Sequence, residues 1–408
     1  MTEAILDLSR PFQRRAVLAL GWGLLATLVL TGCGDGGPGS DDWEAAVDTL
    51  ANGAVHVSNP AEGRWAEGEG WQLVEEVRIG SASEDGPDLF GQIAALEMGE
   101  DGRIYVLERQ SRELRIFAPD GEHLRTVGRE GGGPGEFRDV IGLGWHADGE
   151  LWVVDPGNGR FSVFTPEGDF VRTHPRTMSG YSMPWPGGFG REGEVFEVGF
   201  VPGAQLGTSA VIRFGDGMKS ADTIPVPVER ETEQFVLETE NGRTSATVPF
   251  APFTVWRLDP TGFLWHGFSS RYRLTRTGLD GDTLLVVERT FEPEPVTAEE
   301  REEALENLEW FRAQGGEVDA RRIPSEKPAF YSVLVADDGH IFVVPGSRPG
   351  EGVRSLDVFD PDGYFLGELD VEPPLSPTPF PVIRGDRVLA VVRDELGTPY
   401  VVRYRIER

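Results

Sequence analysis

Residues 90–126 read FGQIAALEMGEDGRIYVLERQSRELRIFAPDGEHLRT, and residues 137–173 read FRDVIGLGWHADGELWVVDPGNGRFSVFTPEGDFVRT. The two segments align without a gap at an offset of 47 residues. Identical residues occupy matching positions throughout, and in the first copy they are Phe90, Leu96, Asp101, Gly102, Val106, Phe117, Pro119, Gly121, Arg125 and Thr126. A fixed period of about 40 to 50 residues indicates a repeat architecture.

Each copy has the pattern of four short strands. Residues 93–98 form the first, and the apolar run at 104–107, which follows an Asp-Gly turn, predicts a second strand buried on both faces. A further run at 114–117 leads to a Pro-x-Gly turn, and residues 123–126 alternate as an edge strand half exposed to water should. Four strands joined by tight turns, with buried inner strands, predict one blade of a β-propeller.

The buried second strand allows the blades to be counted. Its turn glycine recurs six times, each time before an apolar run, at Gly102, Gly149, Gly193, Gly262, Gly339 and Gly385. The third copy is the weakest, because Gly193 lies among other glycines. The sequence therefore predicts an all-β fold, a six-bladed β-propeller of four-stranded antiparallel blades over residues 66–408.

The glycine spacings place two insertions, one after the third glycine and one after the fourth. The second insertion contains a predicted short helical insertion at about residues 297–314. Thr297 and Glu300 have the spacing of a capping box, and Gly315 can end the helix. We expect this helix to cover the surface of the propeller or one end of its channel.

The last blade lacks its outermost strand, because only one strand, at 400–406, fits after the apolar run at 388–392. We expect the missing strand upstream, at 71–79, where residues 77–79 occupy the repeat positions of residues 124–126. Pairing of this N-terminal strand with the C-terminal strand would close the ring and remove the open seam of an incomplete blade.

The N-terminus has the layout of a secretory signal. Three arginines precede a 15-residue apolar stretch at residues 16–30, and small residues follow up to Cys33. A transmembrane anchor is the alternative, but 15 residues fall short of the roughly 20 that span a bilayer. Residues 30–33, LTGC, resemble the lipobox of bacterial lipoproteins, in which cleavage before the cysteine leaves a lipidated N-terminal residue.

The lipobox predicts a signal peptide at residues 1–32 and a lipid-anchored tether and N-terminal lead-in at residues 33–65. Cys33 is the only cysteine, so no intrachain disulfide can form, and its expected role is lipid attachment. Sorting signals known in such lipoproteins imply the outer membrane, because Gly34 rather than Asp follows the cysteine. Asp35, one place later, weakens this inference. The chain is thus expected to meet the bacterial cell envelope through its lipid.

The formal net charge is −30 at pH 7. A field of this sign repels phosphate backbones and anionic membrane surfaces, so nucleic acid is not expected as a partner. We expect most of the charge on a solvated surface.

The repeats resemble NHL-type repeats, in particular those of six-bladed propeller lipoproteins of bacteria. A glycine-rich connector at residues 128–137 and a strand-turn-strand signature at residues 153–164 carry the resemblance. The turn of that signature holds Asp155, Asn158 and Arg160. In such repeats these residues bond to the backbone and to one another, so the resemblance implies a structural turn signature ahead of ligand contacts.

The matching turn of the preceding blade departs from this pattern. It carries Glu108, Arg109 and Arg112 in place of the Asp, Asn and Arg. We infer that the turn is not a uniform binding motif.

No catalytic residue and no metal ligand is predicted. Some six-bladed propellers are metal enzymes, so a metal ion in the central channel stays open, but the six histidines lack positions that would bring three of them together. His266, near the end of a buried strand, is the best histidine candidate for a ligand contact, and packing in the core is its commoner role. Tyr181, Trp185 and Phe189 lie in a loop rich in Pro and Gly, where they can form a contact patch or pack across the mouth of the channel.

The leading functional hypothesis is a non-enzymatic, lipid-anchored propeller that binds a protein or small ligand at an end face, outside the cytoplasm. The first alternative is a metal-dependent, lactonase-like hydrolase or lyase that uses the central channel. The second is a structural component of the envelope. The hypotheses rest on fold resemblance, which does not by itself determine function.

Overall fold

A computed structural model of the chain describes residues 43–66, 68–82, 85–176, 184–200, 209–215, 218, 221–226, 230–239, 242–346 and 352–408. The predicted signal peptide and Cys33 lie outside these residues. Within them the chain is all-β, with 28 strands and two short α-helices. None of the helices described is long and apolar enough to cross a bilayer.

Three strands precede the first repeat: β1 (Ala46–Thr49), β2 (Val55–Asn59) and β3 (Gln72–Ile79). The two aligned repeats then form two four-stranded antiparallel sheets: β4 (Ile93–Met98), β5 (Ile104–Glu108), β6 (Glu113–Phe117), β7 (His123–Val127); and β8 (Gly142–Trp145), β9 (Leu151–Asp155), β10 (Arg160–Phe164), β11 (Phe170–Pro175). Strands β5 and β9 are buried at every residue, whereas β7 and β11 are largely exposed. The predicted order of buried and edge strands is therefore present in both sheets.

The rest of the chain forms further antiparallel sheets, with one inserted two-stranded hairpin between the third sheet and the fourth. The third sheet and the hairpin comprise β12 (Gly188–Phe189), β13 (Val195–Phe200), β14 (Ser209–Phe214), β15 (Ala221–Pro225), β16 (Gln234–Thr239) and β17 (Gly242–Thr247). The next sheet contains β18 (Thr254–Leu258), β19 (Leu264–Phe268), β20 (Arg273–Thr277) and β21 (Thr283–Arg289). The last strands are β22 (Phe330–Val335), β23 (Ile341–Pro345), β24 (Val353–Phe359), β25 (Phe365–Leu375), β26 (Val382–Arg384), β27 (Arg387–Arg393) and β28 (Pro399–Glu407).

The six turn glycines identified in the sequence all adopt the left-handed conformation, with φ between +59° and +91°. Each precedes a strand, in order β5, β9, β13, β19, β23 and β27. A residue with a Cβ atom is disfavoured at such φ values, which explains why glycine recurs there. The assignment of Gly193, the weakest in the sequence, agrees with β13 directly after it.

Six hydrophobic clusters in the described part of the chain lie between consecutive sheets. Alternate residues of one buried strand enter different clusters: Ile104 and Val106 of β5 pack towards β27 and β28, while Tyr105 and Leu107 pack towards β8 and β9. Each inner strand is thus buried on both faces by its two neighbouring sheets, as its unbroken apolar run predicts.

The Pro-x-Gly turn of each aligned repeat packs against the preceding sheet. A Cβ atom on Gly168 would lie 2.8 Å from the Ile116 side chain, and Gly168 has φ +87°. Gly121 stands in the same relation to Val77 and Ile79 of β3. These glycines allow a close approach that any larger residue would prevent, so the same contact recurs after 47 residues.

Strand β3 pairs antiparallel with β28 over its whole length, from Gln72 opposite Glu407 to Ile79 opposite Val401. Together with β26 and β27 these strands make one sheet, and one bridge between β25 and β27 joins it to the sheet of β22–β25. The carboxylate of Glu76 in β3 lies within 3.5 Å of three guanidinium groups, those of Arg387, Arg403 and Arg405. The two ends of the chain are held in register by backbone bonds and by this cluster of opposite charges.

The lead-in predicted at residues 33–65 is not wholly a tether, since residues 46–59 form the hairpin β1–β2. Strand β2 pairs parallel with β21 and so extends the sheet of β18–β21 to six strands. Asn59, at the end of β2 and 3% exposed, donates to Glu288 O at 3.0 Å and Gly363 O at 2.9 Å and accepts from Phe365 N at 2.8 Å. This side chain joins the N-terminal hairpin to two consecutive sheets.

The predicted helix at residues 297–314 is two helices, α1 (Ala298–Glu306) and α2 (Glu309–Ala313). The capping box of Thr297 and Glu300 is present. A continuous apolar face is absent, because Glu300 is the only buried residue of α1. The apolar residues that enter the core are Leu308, which directly precedes α2, and Phe311 within α2.

The two insertions pack on each other. Leu308 and Phe311 share a hydrophobic cluster with Phe235 and Ala246 of the β16–β17 hairpin. The helices therefore cover a neighbouring insertion, and they do not line the two cavities described below.

We expect Asn59→Ala to destabilise the protein by several kcal/mol, because each buried group left without its partner costs about 1–3 kcal/mol. Urea unfolding followed by tryptophan fluorescence measures the loss. Asn52→Ala is the matched control, since Asn52 is exposed and makes one side-chain bond to another segment, to Thr283 O. Equal losses in the two variants would contradict the role assigned to Asn59.

Candidate functional site

One cavity of about 430 Å³ is lined by the first strand of each group of strands in chain order, namely β4, β8, β12, β18, β22 and β26. We call it the central cavity. The blades of a propeller surround a central channel, so these strands occupy the expected position.

A second cavity, of about 600 Å³, shares Trp185, Arg257 and Phe380 with the central cavity. Its lining also includes three further aromatic residues, Phe253, Trp256 and Tyr331. We call it the aromatic cavity. Its volume and its mixture of apolar walls with few charges are typical of small-molecule sites.

Arg257 lies in β18 and lines both cavities. The turn after β18 is fixed by Asp259, which is 3% exposed and accepts from Thr261 N, Phe263 N and Trp265 Nε1 at 2.8 to 3.1 Å. This turn orients the end of the strand that carries Arg257.

The Arg257 guanidinium lies over the Phe380 ring, 3.7 Å from its centroid. Its Nε donates to Val333 O at 3.3 Å and its Nη2 donates to Ser332 Oγ at 3.2 Å. Both acceptors are neutral, and none of the described carboxylates forms an ion pair with this group. Burial lowers the pKa of Arg257 to about 10, so the group stays charged at neutral pH.

The other charged residues of the aromatic cavity form a closed pair. Arg176 donates to both carboxylate oxygens of Glu197, at 2.6 and 2.9 Å, and Trp185 Nε1 donates to the same carboxylate at 3.2 Å. The two charged side chains are 4% and 0% exposed. Because they neutralise each other, Arg257 gives the lining its net positive charge.

Glu97, in β4, lines the central cavity. Burial raises the pKa of Glu97 to about 7, and the charge of Arg384 at 3.6 Å offsets the shift only in part. Its Oε2 is buried and has no hydrogen-bond partner among the described residues. The carboxyl therefore exchanges its proton near neutral pH.

The predicted contact residues are only partly brought together. Trp185 and Phe189 pack with ring centroids 5.4 Å apart beside the central cavity, and Trp185 is 9% exposed, so these two form an interior contact and no exposed patch. His266 is buried in β19, apart from both cavity linings. Tyr181 lies outside the described residues.

The turn residues Asp155, Asn158 and Arg160 bond within the protein. Asp155 accepts from the backbone N–H groups of Arg138, Asp139 and Asn158 and from the Asn158 side chain. Arg160 donates to three carbonyl groups of the glycine-rich connector, those of Gly132, Gly133 and Glu136. These bonds tie the turn to the connector and support a structural role.

Glu108 makes the same bonds in the preceding sheet, which the sequence comparison missed. It accepts from the N–H groups of Gly91, Gln92 and Ser111, each 47 residues before a partner of Asp155. Arg115 correspondingly donates to Leu89 O, 47 residues before Glu136 O. The geometry is conserved between the copies although the residue types differ.

None of the described residues form a group of three or more His, Cys, Asp or Glu side chains able to hold a metal ion. His146 stacks on Trp152 with centroids 4.8 Å apart and lies 3.1 Å from Gly193 O. His340 packs on Trp71 with centroids 5.1 Å apart. These histidines contribute to contacts between elements.

Comparison with known proteins supports the fold. The family model DUF5128, described as a 6-bladed beta-propeller, matches residues 87–156. The chain has a β-propeller fold. No curated protein matches this propeller.

Several solved structures are similar to this propeller. A Bacteroides fragilis protein for which export has been suggested is 11% identical, with a TM-score of 0.51 over 86% of this chain and 100% of that one. Virginiamycin B lyase from Staphylococcus aureus is 10% identical, with a TM-score of 0.42 over 82% and 99%. A gluconolactonase from Xanthomonas campestris is 11% identical, with a TM-score of 0.40 over 78% and 88%. At these identities the likeness concerns the fold alone.

We expect Asp155→Ala and Glu108→Ala each to destabilise the protein by several kcal/mol, because every buried N–H left without an acceptor costs about 1–3 kcal/mol. Urea unfolding measures the loss. Asp169→Ala is the control, since its exposed ion pair with Arg125 contributes about 0–1 kcal/mol. A small loss for Glu108→Ala alone would refute the equivalence of the two turns.

Glu97 makes folding stability depend on pH. Its pKa is about 7 in the folded chain and near 4.5 when unfolded, so between these values the folded chain binds more protons. Stability then falls as the pH rises from about 4.5 to 7 and levels off above. We expect Glu97→Gln to flatten this slope and the exposed-site control Glu100→Gln to leave it unchanged in urea unfolding at a series of pH values. A slope unaltered by Glu97→Gln would disprove the assignment.

Proposed function

We propose that the chain is an exported, lipid-anchored, six-bladed propeller that acts as a non-enzymatic binding module in the bacterial envelope. Six blades are supported by the six first strands that line the central cavity and by the six hydrophobic clusters between consecutive sheets. Closure of the ring is supported by the β3–β28 ladder. In this arrangement β3 is the outermost strand of the sixth blade.

The binding function rests on the aromatic cavity. Its volume of about 600 Å³ suits a small organic molecule, and aromatic side chains from several sheets line it. The sequence favoured a ligand at an end face, whereas the buried position of Trp185, with Phe189 packed on it, favours one held between the blades. Arg176 and Glu197 are fully engaged with each other, which leaves binding rather than proton transfer as the task of this cavity.

The metal-dependent hydrolase or lyase remains the second candidate, and Glu97 is the observation that favours it. A carboxyl with a pKa of about 7 beside a cavity can serve as a general acid or base. Stoichiometric metal in the purified protein, together with hydrolysis of a lactone that Glu97→Gln abolishes, would support this candidate over binding. A structural envelope component would show neither ligand binding nor turnover.

Binding without turnover is tested on the full-length chain with small aromatic acids and their neutral amides, by isothermal titration calorimetry. We expect at least one compound to bind and to be recovered unchanged. Binding of none would contradict the proposed function, and conversion of a bound compound would favour the enzyme.

Lipid anchoring is tested by expressing the full chain in a Gram-negative host with labelled palmitate. We expect the label on the wild-type chain, which should sediment with outer membranes, and we expect Cys33→Ala to be unlabelled and released from them. An unlabelled wild-type chain would contradict the anchor. Cys33 lies outside the predicted propeller at residues 66–408, so ligand binding by this variant separates localisation from binding.

A further inference from the structure

The aromatic cavity contains a cation, Arg257, that forms no ion pair with the described residues. Of the charged residues in its lining, Arg176 and Glu197 bond to each other, and the third is Arg257. Only burial shifts the titration of Arg257, since no described carboxylate acts on it. In a chain of net charge −30, an arginine that lines a cavity without an ion pair to any described carboxylate is an unusual arrangement.

The Arg257 guanidinium is held in place, but only some of its N–H donors have an acceptor among the described residues. Two of its N–H groups donate to Val333 O and Ser332 Oγ, and the Phe380 ring covers one face. A guanidinium has five N–H donors, so three have no acceptor among the described residues. The two bonds and the ring hold the group in place, which lowers the entropy lost when a ligand binds.

The partly buried charge of Arg257 favours an anion. Removing a guanidinium from water is costly unless a negative charge or strong acceptors compensate it. Neutral acceptors compensate Arg257 only in part, and a ligand carboxylate would supply a charge-assisted bond in a site of low dielectric constant.

The surroundings restrict which anion fits. One uncompensated arginine balances one negative charge, and the strongly acidic chain repels ligands of higher charge. A phosphate dianion would bring one negative charge more than this single group balances. The walls formed by Trp185, Trp256 and Tyr331 offer aromatic surface to an apolar or aromatic body.

We propose that Arg257 binds the carboxylate of a small monocarboxylic acid whose apolar or aromatic body lies in the aromatic cavity. This inference rests on the proposed binding function and names its ligand class. The carboxylate replaces water at the free guanidinium donors, while the ring or chain of the acid packs on the aromatic walls.

The test compares 3-phenylpropionate with 3-phenylpropionamide, which have the same body and differ in charge. Isothermal titration calorimetry is performed on the full-length chain in detergent, as wild type, Arg257→Gln and Arg257→Lys. Arg243→Gln is the control for loss of one positive charge, because Arg243 is exposed on the β16–β17 hairpin.

We expect the wild type to bind the acid about 10-fold more tightly than the amide, as a charge-assisted bond provides. Arg257→Gln should remove this preference, because the affinity for the acid falls while the affinity for the amide changes less than about twofold. Arg257→Lys should keep part of the preference. The control should behave as the wild type. Urea unfolding identifies a variant that fails to fold. In that case the ratio of the wild-type affinities for the acid and the amide still tests the inference.

Equal binding of acid and amide by the wild type would overturn the inference and leave the binding function standing. A preference for the acid that survives in folded Arg257→Gln would also overturn it. Binding of neither compound would count against both the inference and the proposed function.

Discussion

The pairing of β3 with β28 is the contact on which the other sheets depend. Without it β28 would be an open edge strand, and the cluster that packs β27 and β28 against β4 and β5 would lose Val77 and Ile79. Arg403 and Glu76 meet across 327 residues of sequence, so this ladder forms only when the intervening sheets are already near their places. Contacts of such long range fold slowly and make the whole structure cooperative. The three arginines around Glu76 favour this register, because a shift of β3 would separate the carboxylate from them.

Most of the strands could be predicted because their signals are local. A left-handed turn needs glycine, and a strand buried on both faces needs an unbroken apolar run, so Gly102 and residues 104–107 suffice to locate β5. The same reasoning located β27, which follows the turn at Gly385. The β1–β2 hairpin was missed because β1 is exposed at all four residues and its strand order depends on β21, more than 200 residues away. The contact between the two insertions is likewise non-local, and neither insertion alone indicates its partner.

The site was harder to predict than the fold for a related reason. The aromatic loop drew attention to Trp185 and Phe189, which do border the central cavity, but the sequence does not show that they pack on each other. Arg257 and Glu97 were missed because an acidic chain contains many charged residues at exposed positions. The sequence signal for both is a charged residue within the strand that lines the central cavity, Arg257 in TVWRL of β18 and Glu97 in IAALEM of β4. Glu108 was missed for a different reason, because its longer side chain reaches the same N–H groups that Asp155 reaches in the next copy.

The charges of the chain divide by location. The many carboxylates give the chain a strongly negative field, whereas the aromatic cavity holds one positive charge without an ion pair among the described residues. An arginine in such a place costs stability, since an apolar residue of similar size would pack against Phe380 without desolvating a charge. The repeat itself does not require an arginine there, because the equivalent positions of the two aligned repeats carry Glu97 and Gly144. A costly residue that the fold does not need is most simply explained by a ligand that needs it, and the neutral acceptors Val333 O and Ser332 Oγ then serve to hold the guanidinium in position without cancelling its charge.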